Sequence, residues 1–140
     1  MIVYLDTNIC VYLVEDVPGF GAVAESALSQ LLGRGHMVVA SHLVRMECLV
    51  APLRRGDTAA VAQFDELFGR TLDGMLDFTP AVFNRAAQLR ATYSLTTQDA
   101  LHLAAALEGD CDVFLTNDDH LASFGELRVV LLSSPEAPEG

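Results

Sequence analysis

Apolar residues fall along the chain in two kinds of run. Ile2-Val3-Tyr4-Leu5, Met37-Val38-Val39-Ala40, Met75 to Phe78, Asp112 to Leu115 and Val129 to Leu132 are short and largely apolar, as expected of strands buried on both faces. Longer stretches between them carry apolar residues at helical spacing. They predict a short helix after Asp6-Thr7-Asn8 to about Glu15, and helices over Ala22 to Leu32, from Ser41 through Glu47, from Asp57 to about Gly69, from Pro80 to about Tyr93, and from Thr96 or Thr97 to near Gly109. Pro18-Gly19 with Gly21, Gly33 with Gly35, and Pro52 to Gly56 mark the breaks. Ser41 and Asp57 serve as N-caps, and Pro80 suits a first helical turn. Strands alternating with helices predict an α/β fold with a central parallel β-sheet flanked by helices.

The chain of 140 residues suffices for one domain that buries about two-thirds of its surface. No internal repeat or linker divides residues 1–132, and the polar, Pro-rich segment 133–140 is expected to be disordered. No apolar stretch reaches the roughly 18 residues of a membrane span, and the first residues lack the basic region of a signal peptide. Cys10, Cys48 and Cys111 form neither a CxxC pair nor a zinc spacing, which fits free buried thiols and a cytoplasmic location. All eight basic residues are arginine. The absence of lysine excludes a Walker A loop and Schiff-base chemistry.

Four acids interrupt apolar surroundings. Asp6 ends the first strand, Glu47 lies within Leu43 to Val50, Asp99 opens an Ala/Leu-rich helix, and Asp118 follows Val113-Phe114-Leu115-Thr116-Asn117. Carboxylates are seldom buried without a partner. In an open parallel sheet, ligands bind beyond the carboxyl ends of the strands, where Asp6 and Asp118 belong. Leu43, Glu47 and Val50 share a helical stripe, which aims Glu47 where the apolar face points. Two carboxylates about 5 Å apart repel by roughly 3 kcal/mol at an effective dielectric near 20. Four in one pocket call for a hard cation such as Mg²⁺ or Mn²⁺, which takes oxygen ligands and keeps several waters. The chemistry that best fits such a set is metal-assisted phosphodiester hydrolysis.

Each acid also has a purely structural reading. Asp6 suits an N-cap, Asp99 the third position of a capping box begun by Thr96, and Asp118 with Asp119 a turn. Glu47 suits an ion pair with Arg45 or another arginine. His42, His102 and His120 are read as surface or capping residues, although Asp99 and His102 form an i, i+3 pair. Cys48 reads as packing, and Leu67, Phe68, Leu72 and Met75 as core or a subunit contact. Arg54 and Arg55 suit either phosphate binding or a solvated helix end. The net charge of −11 argues at first against nucleic acid and leaves two readings: acids that serve a metal while local arginines handle phosphate, or an acidic surface complementary to a basic partner.

Tyr4-Leu5-Asp6-Thr7-Asn8, Ser41 with Glu47, Thr97-Gln98-Asp99-Ala100-Leu101-His102-Leu103-Ala104-Ala105-Ala106, and Phe114-Leu115-Thr116-Asn117-Asp118 occur in an order that resembles the PIN-domain ribonucleases, and among them the VapC-type toxins of toxin–antitoxin pairs. The resemblance spans Ile2 to about Leu132. It implies a PIN-like three-layer fold and an endoribonuclease that hydrolyses RNA with a metal-activated water. Asp6 and Asp99 match the direct ligands of Mg²⁺ or Mn²⁺, while Glu47 and Asp118 match acids that act directly or through water. Thr116 matches a hydroxyl that orients the pocket, and Asn8 the polar residue after the first acid. Asp119 is an additional acid, with Asp118 taken as the one facing the metal. The resemblance further implies a homodimer, a cognate antitoxin and an RNA substrate, for which Arg45, Arg54, Arg55 and Arg90 are candidate contacts.

An aspartate-nucleophile phosphatase also begins with an apolar strand ending in Asp. It expects a second acid where this chain has Asn8, and a later lysine that is absent here. A receiver domain fails on the same missing lysine. The non-enzymatic alternative is an inactive PIN-like RNA-binding or protein-interaction module, but retention of all four acids favours catalysis. Duplex-gripping DNA nucleases need basic regions that this chain lacks.

Overall fold

The structure is a computed structural model that describes residues 1–132. The expected disorder of residues 133–140 therefore lies outside the described residues. Five strands, β1 (Ile2–Leu5), β2 (Met37–Ser41), β3 (Gly74–Leu76), β4 (Val113–Thr116) and β5 (Arg128–Leu131), alternate with six helices: α1 (Thr7–Val14), α2 (Gly21–Gly33), α3 (His42–Arg54), α4 (Thr58–Glu66), α5 (Pro80–Thr92) and α6 (Thr97–Glu108). All strand pairs are parallel, and the order across the sheet is β3-β2-β1-β4-β5. The chain moves outward from β1 through β2 to β3, then crosses back to β4 on the other side. Direction therefore switches between β1 and β4, where crossovers leave a crevice at the strands' carboxyl ends.

The apolar runs become strands because both faces of the sheet are covered. Val3, Tyr4, Leu5, Val38, Ala40 and Phe114 are almost fully buried. Tyr4 pairs in register with Phe114, and their rings stack with centroids 5.1 Å apart. α2 and α3 pack on β2, α1 packs on β4, and α5 lies along α6.

Helix ends follow local chemistry. Ser41 caps α3 by accepting from Val44 N, and Asp57 caps α4 by accepting from Ala60 N. α2 closes at Gly35, where φ is 80° and the His36 and Gly35 amides reach back to Leu31 and Leu32. The same closure occurs at Gly56, φ 67°, with Asp57 N on Pro52 O and Gly56 N on Leu53 O. This corrects the expected break at Pro52. The helix runs through the buried proline to Arg54, giving up one backbone bond, and the glycine sets its end. At the end of α6 the left-handed residue is Asp110, and Gly109 serves instead to admit Leu76. A Cβ there would meet Leu76 Cδ1 at 2.8 Å.

Two further boundaries differ from the sequence pattern by more than one residue. α4 stops at Glu66 and passes into a wide π turn, Leu67–Thr71. β3 ends at Leu76 rather than Phe78, because its only partner among the described residues, β2, gives out at Ser41 opposite Leu76. Leu67, Phe68 and Leu72 are core residues and Met75 is half-buried.

Candidate active site

The register of β1 and β4 places the first acid. Leu5 pairs with Leu115, so the next residues, Asp6 and Thr116, adjoin at the switch point, and Asp6 N donates to Leu115 O at 2.9 Å. Thr116 Oγ1 donates to Asp6 Oδ2 at 2.7 Å and accepts from Asp118 N at 3.0 Å. Asn8 ties the two loops together: Nδ2 reaches Thr116 Oγ1 at 3.2 Å, and Oδ1 accepts from Asn117 N at 3.1 Å. Asp6 also caps α1 through Thr7 N, so its structural reading and its position in the pocket both hold.

Glu47 reaches the same place from α3. Its Oε1 accepts from Thr7 Oγ1 at 2.8 Å and lies 2.6 Å from His102 Nε2. Asp99 stands in the first turn of α6, where its amide donates to the Thr96 cap. Its carboxylate makes no return bond to complete a capping box among the described residues. Asp118 caps the 3₁₀ turn Asp119–Leu121 through His120 N.

All four acids line one cavity of about 380 Å³, together with Thr7, Asn8, Val11, Tyr12, Gln98 and His102. Asp119 is exposed beyond it, and its carboxylate, that of Asp118 and the His120 ring have ligand atoms within 4.8 Å of one another. No three of the four cavity acids approach one another so closely among the described residues. They surround the space rather than touch across it.

The electrostatics are uneven. Asp6 is 7% exposed, and burial raises its carboxyl above the ordinary value, against the hydrogen bonds of Thr116 and Thr7; the negative charge of Asp99 adds to the rise. Burial pushes Glu47 up as well, but the hydrogen bonds of His102 and Thr7 outweigh it and hold that carboxyl below its ordinary value. Among the described residues no ion pair neutralises Asp6, Asp99 or Asp118. A buried carboxylate facing three other acids suits a hard divalent cation. The spacing suits an ion that touches one or two carboxylates and meets the rest through water.

Several side chains stand elsewhere than the sequence suggested. His102 is not a surface residue: it is 3% exposed, with Nδ1 2.8 Å from Tyr4 Oη and Nε2 on Glu47. Its spacing from Asp99 was the signal, since i and i+3 share a helix face. His42 and His120 are exposed, as expected. Arg45 pairs with Asp65 rather than Glu47, Arg55 with Glu15 and Asp57, and Arg90 with Leu95 O and Thr97 Oγ1. Of the four candidate RNA contacts, only Arg54 makes no such bond among the described residues. Cys48 is buried, with Sγ 3.9 Å from Thr7 O, and the neighbouring Cys10 thiol is raised by its hydrogen bond to Cys48 and by burial. Both are packing groups. Thr7 and Tyr12 belong to the cavity and gave no sequence signal of their own.

An open parallel sheet with an acid-lined cavity at its switch point defines the class: an α/β protein with a candidate cation site. A family model for the PIN domain matches residues 3–127, and the chain belongs to that family. No curated protein sequence matches it. Among solved structures, it is similar to a chain of VapBC2 from Rickettsia felis bound to a DNA fragment from its promoter (TM-score 0.78, 20% identity, covering 95% of this chain and 100% of the other). It is also similar to a chain of VapBC-1 from nontypeable Haemophilus influenzae (0.71, 21%, 94% and 98%) and to VapC20 from Mycobacterium tuberculosis, described as a sarcin-ricin loop cleaving toxin (0.66, 17%, 90% and 98%). At these identities the likeness is one of fold.

Proposed function

We propose that this protein is a metal-dependent endoribonuclease that hydrolyses RNA phosphodiester bonds as the toxin of a toxin–antitoxin pair. The observation that carries the reading is the convergence of Asp6, Glu47, Asp99 and Asp118, from four separate elements, on one cavity. Membership of the PIN family supports it, as does the RNA cleavage attributed to VapC20.

Asp6 and Asp99 are assigned as direct ligands of Mg²⁺ or Mn²⁺, and Glu47 and Asp118 as ligands directly or through water. A bound divalent ion supplies positive charge that stabilises the attacked phosphodiester and acidifies water. Thr116 and Asn8 fix the Asp6 carboxylate, so little reorganisation is needed when the site fills. A carboxylate of the set accepts the proton released by the attacking water, and Asp119 adds negative charge just outside.

The net charge of −11 suits a basic antitoxin, and VapBC relatives of the same fold are toxin–antitoxin complexes. Exposed Met46, Val50 and Leu53 form an apolar stripe along α3, which supports a homodimer. No described helix is long and apolar enough to cross a membrane. A cytoplasmic location goes with the proposed RNA substrate.

Antitoxin-free protein incubated with tRNA, ribosomal RNA and single-stranded DNA, in Mg²⁺, Mn²⁺ or EDTA, tests the reading. RNA cleavage is expected with metal only, and Asp6→Asn and Asp99→Asn should each slow it on the order of 1000-fold. A folded protein with neither metal binding nor cleavage would be the interaction module instead.

A further inference from the structure

A hydrogen-bonded chain runs from the end of β2 through β1 to α6 and into the cavity, and its donors can be followed one by one. Ser41 is fully buried, and its Oγ accepts from Val44 N at 3.3 Å. Its only other partner among the described residues is Tyr4 Oη, at 2.7 Å. The buried Ser41 hydroxyl proton therefore goes to Tyr4, since no other acceptor is in reach. Tyr4, also fully buried, is left with its own proton for His102 Nδ1 at 2.8 Å. His102 then accepts at Nδ1 and carries its hydrogen on Nε2, 2.6 Å from Glu47 Oε1. Every donor in this sequence has an acceptor. The reverse direction would strand the Ser41 proton in the core.

The consequence falls on Glu47. Thr7 Oγ1 and His102 Nε2 both bond Oε1, while Oε2 has no hydrogen-bond partner among the described residues although the side chain lines the cavity. We propose that His102, fixed as its Nε2–H tautomer by Ser41 and Tyr4, is a positioning residue that clamps one oxygen of Glu47 and leaves the other for the cation site. The inference rests on the metal-dependent reading above. The relay is anchored in the sheet: Tyr4 pairs with Val39 in β2, two residues before Ser41, so the two hydroxyls project from the same face. His102 reaches them from the α6 face that also carries Asp99, one turn earlier. One rigid unit thus aligns Glu47 with the helix that presents Asp99. Groups that orient ligands in this way govern metal affinity without touching the metal.

A long-range ¹H–¹⁵N spectrum of the metal-free protein at neutral pH tests the clamp without any turnover. His102 is expected to show a bare Nδ1 and a protonated Nε2, and Tyr4→Phe is expected to abolish that single pattern. A proton on Nδ1 in the unaltered protein would overturn the proposal. Mn²⁺ titration, read by electron paramagnetic resonance, tests the consequence. His102→Leu should weaken binding by roughly 10- to 100-fold, and His102→Gln, whose amide can donate from the place of Nε2, should recover most of the loss. Thermal melts of both variants confirm that the comparison is between folded proteins. Equal Mn²⁺ affinity in His102→Leu and the unaltered protein, with Asp99→Asn binding none, would sink the positioning role and leave the nuclease reading intact. No Mn²⁺ binding by the unaltered protein would sink the nuclease reading and the clamp's purpose together, whatever the spectrum shows.

Discussion

Acids border the strands at both ends of the sheet, and they do different work. At the amino ends, Asp112 precedes β4 and Asp73 precedes β3, and each closes the same small ring with the neighbouring strand. Asp112 N donates to Ile2 O while Ile2 N donates to Asp112 Oδ2 at 2.8 Å; Asp73 N donates to Val38 O while Val38 N donates to Asp73 Oδ2 at 2.7 Å. Both residues are exposed, so their charge costs little and they extend the sheet by one bonded pair. At the carboxyl ends, Asp6 is buried among side-chain donors and other carboxylates, with its acidity weakened by burial. The same residue type beside an apolar run is a backbone cap at one end of the sheet and a candidate ligand at the other. Position relative to the switch point makes the difference.

Metal should separate the two ends most sharply. At an Mg²⁺ concentration about 100 times the dissociation constant, the protein should gain about 2.7 kcal/mol. Differential scanning calorimetry should show that gain in Asp73→Asn and Asp112→Asn, and show none in Asp6→Asn or Asp99→Asn. A gain that survives Asp99→Asn would place the ion elsewhere.

Alanine at the amino ends should cost stability instead. Asp73→Ala and Asp112→Ala each lose a hydrogen bond to a strand amide, worth about 1 kcal/mol, and should lower the melting temperature by roughly 3 °C. RNA cleavage per folded molecule should not change. A loss of cleavage equal to that of Asp99→Asn would break the division.

The smallest effect is on pH. Burial raises Asp6 in the folded state, so the native protein holds that proton to higher pH than the unfolded chain does. Its contribution to metal-free stability therefore falls as pH rises from the ordinary aspartate value of about 4 through the raised value. Asp6→Asn should remove this fall and be the more stable protein at pH 7, by a few degrees at most, in EDTA. Glu47 runs the other way: its carboxyl is lowered, so its stabilisation is complete above the ordinary glutamate value and is lost as pH falls through the folded one. Melting curves from pH 3 to 8 in EDTA, compared with Asp6→Asn and Glu47→Gln, check both signs.

Much of this was legible in the chain. Short apolar runs between amphipathic stretches specify a parallel sheet, because strands covered on both faces must be apolar throughout. Ser41, Asp57 and Thr96 announced their helices because capping is local chemistry, complete within four residues. Glu47 stood out because it interrupts an apolar run, although Val50, read as sharing its inward stripe, is exposed. The end of α3 was misread for an equally local reason: Pro52 is the louder signal, but Gly56 supplies the left-handed turn that closes a helix.

His102 was only half legible by contrast: its i, i+3 spacing put it on the face of Asp99, but nothing named its partners. A histidine in an Ala/Leu-rich helix reads alike whether it meets solvent or a tyrosine ninety-eight residues away. Asp73 shows the same limit, since nothing near it in the chain reveals that it bonds the amide of Val38, thirty-five residues away. The sequence by itself determined the elements, their caps and an unusual set of acids, because these depend on neighbours a few residues apart. The strand order β3-β2-β1-β4-β5, the switch point, the cavity and the Ser41–Tyr4–His102–Glu47 relay were decided only by tertiary structure. They depend on which distant strands pair and in what register, and that is settled by the packing of the whole core.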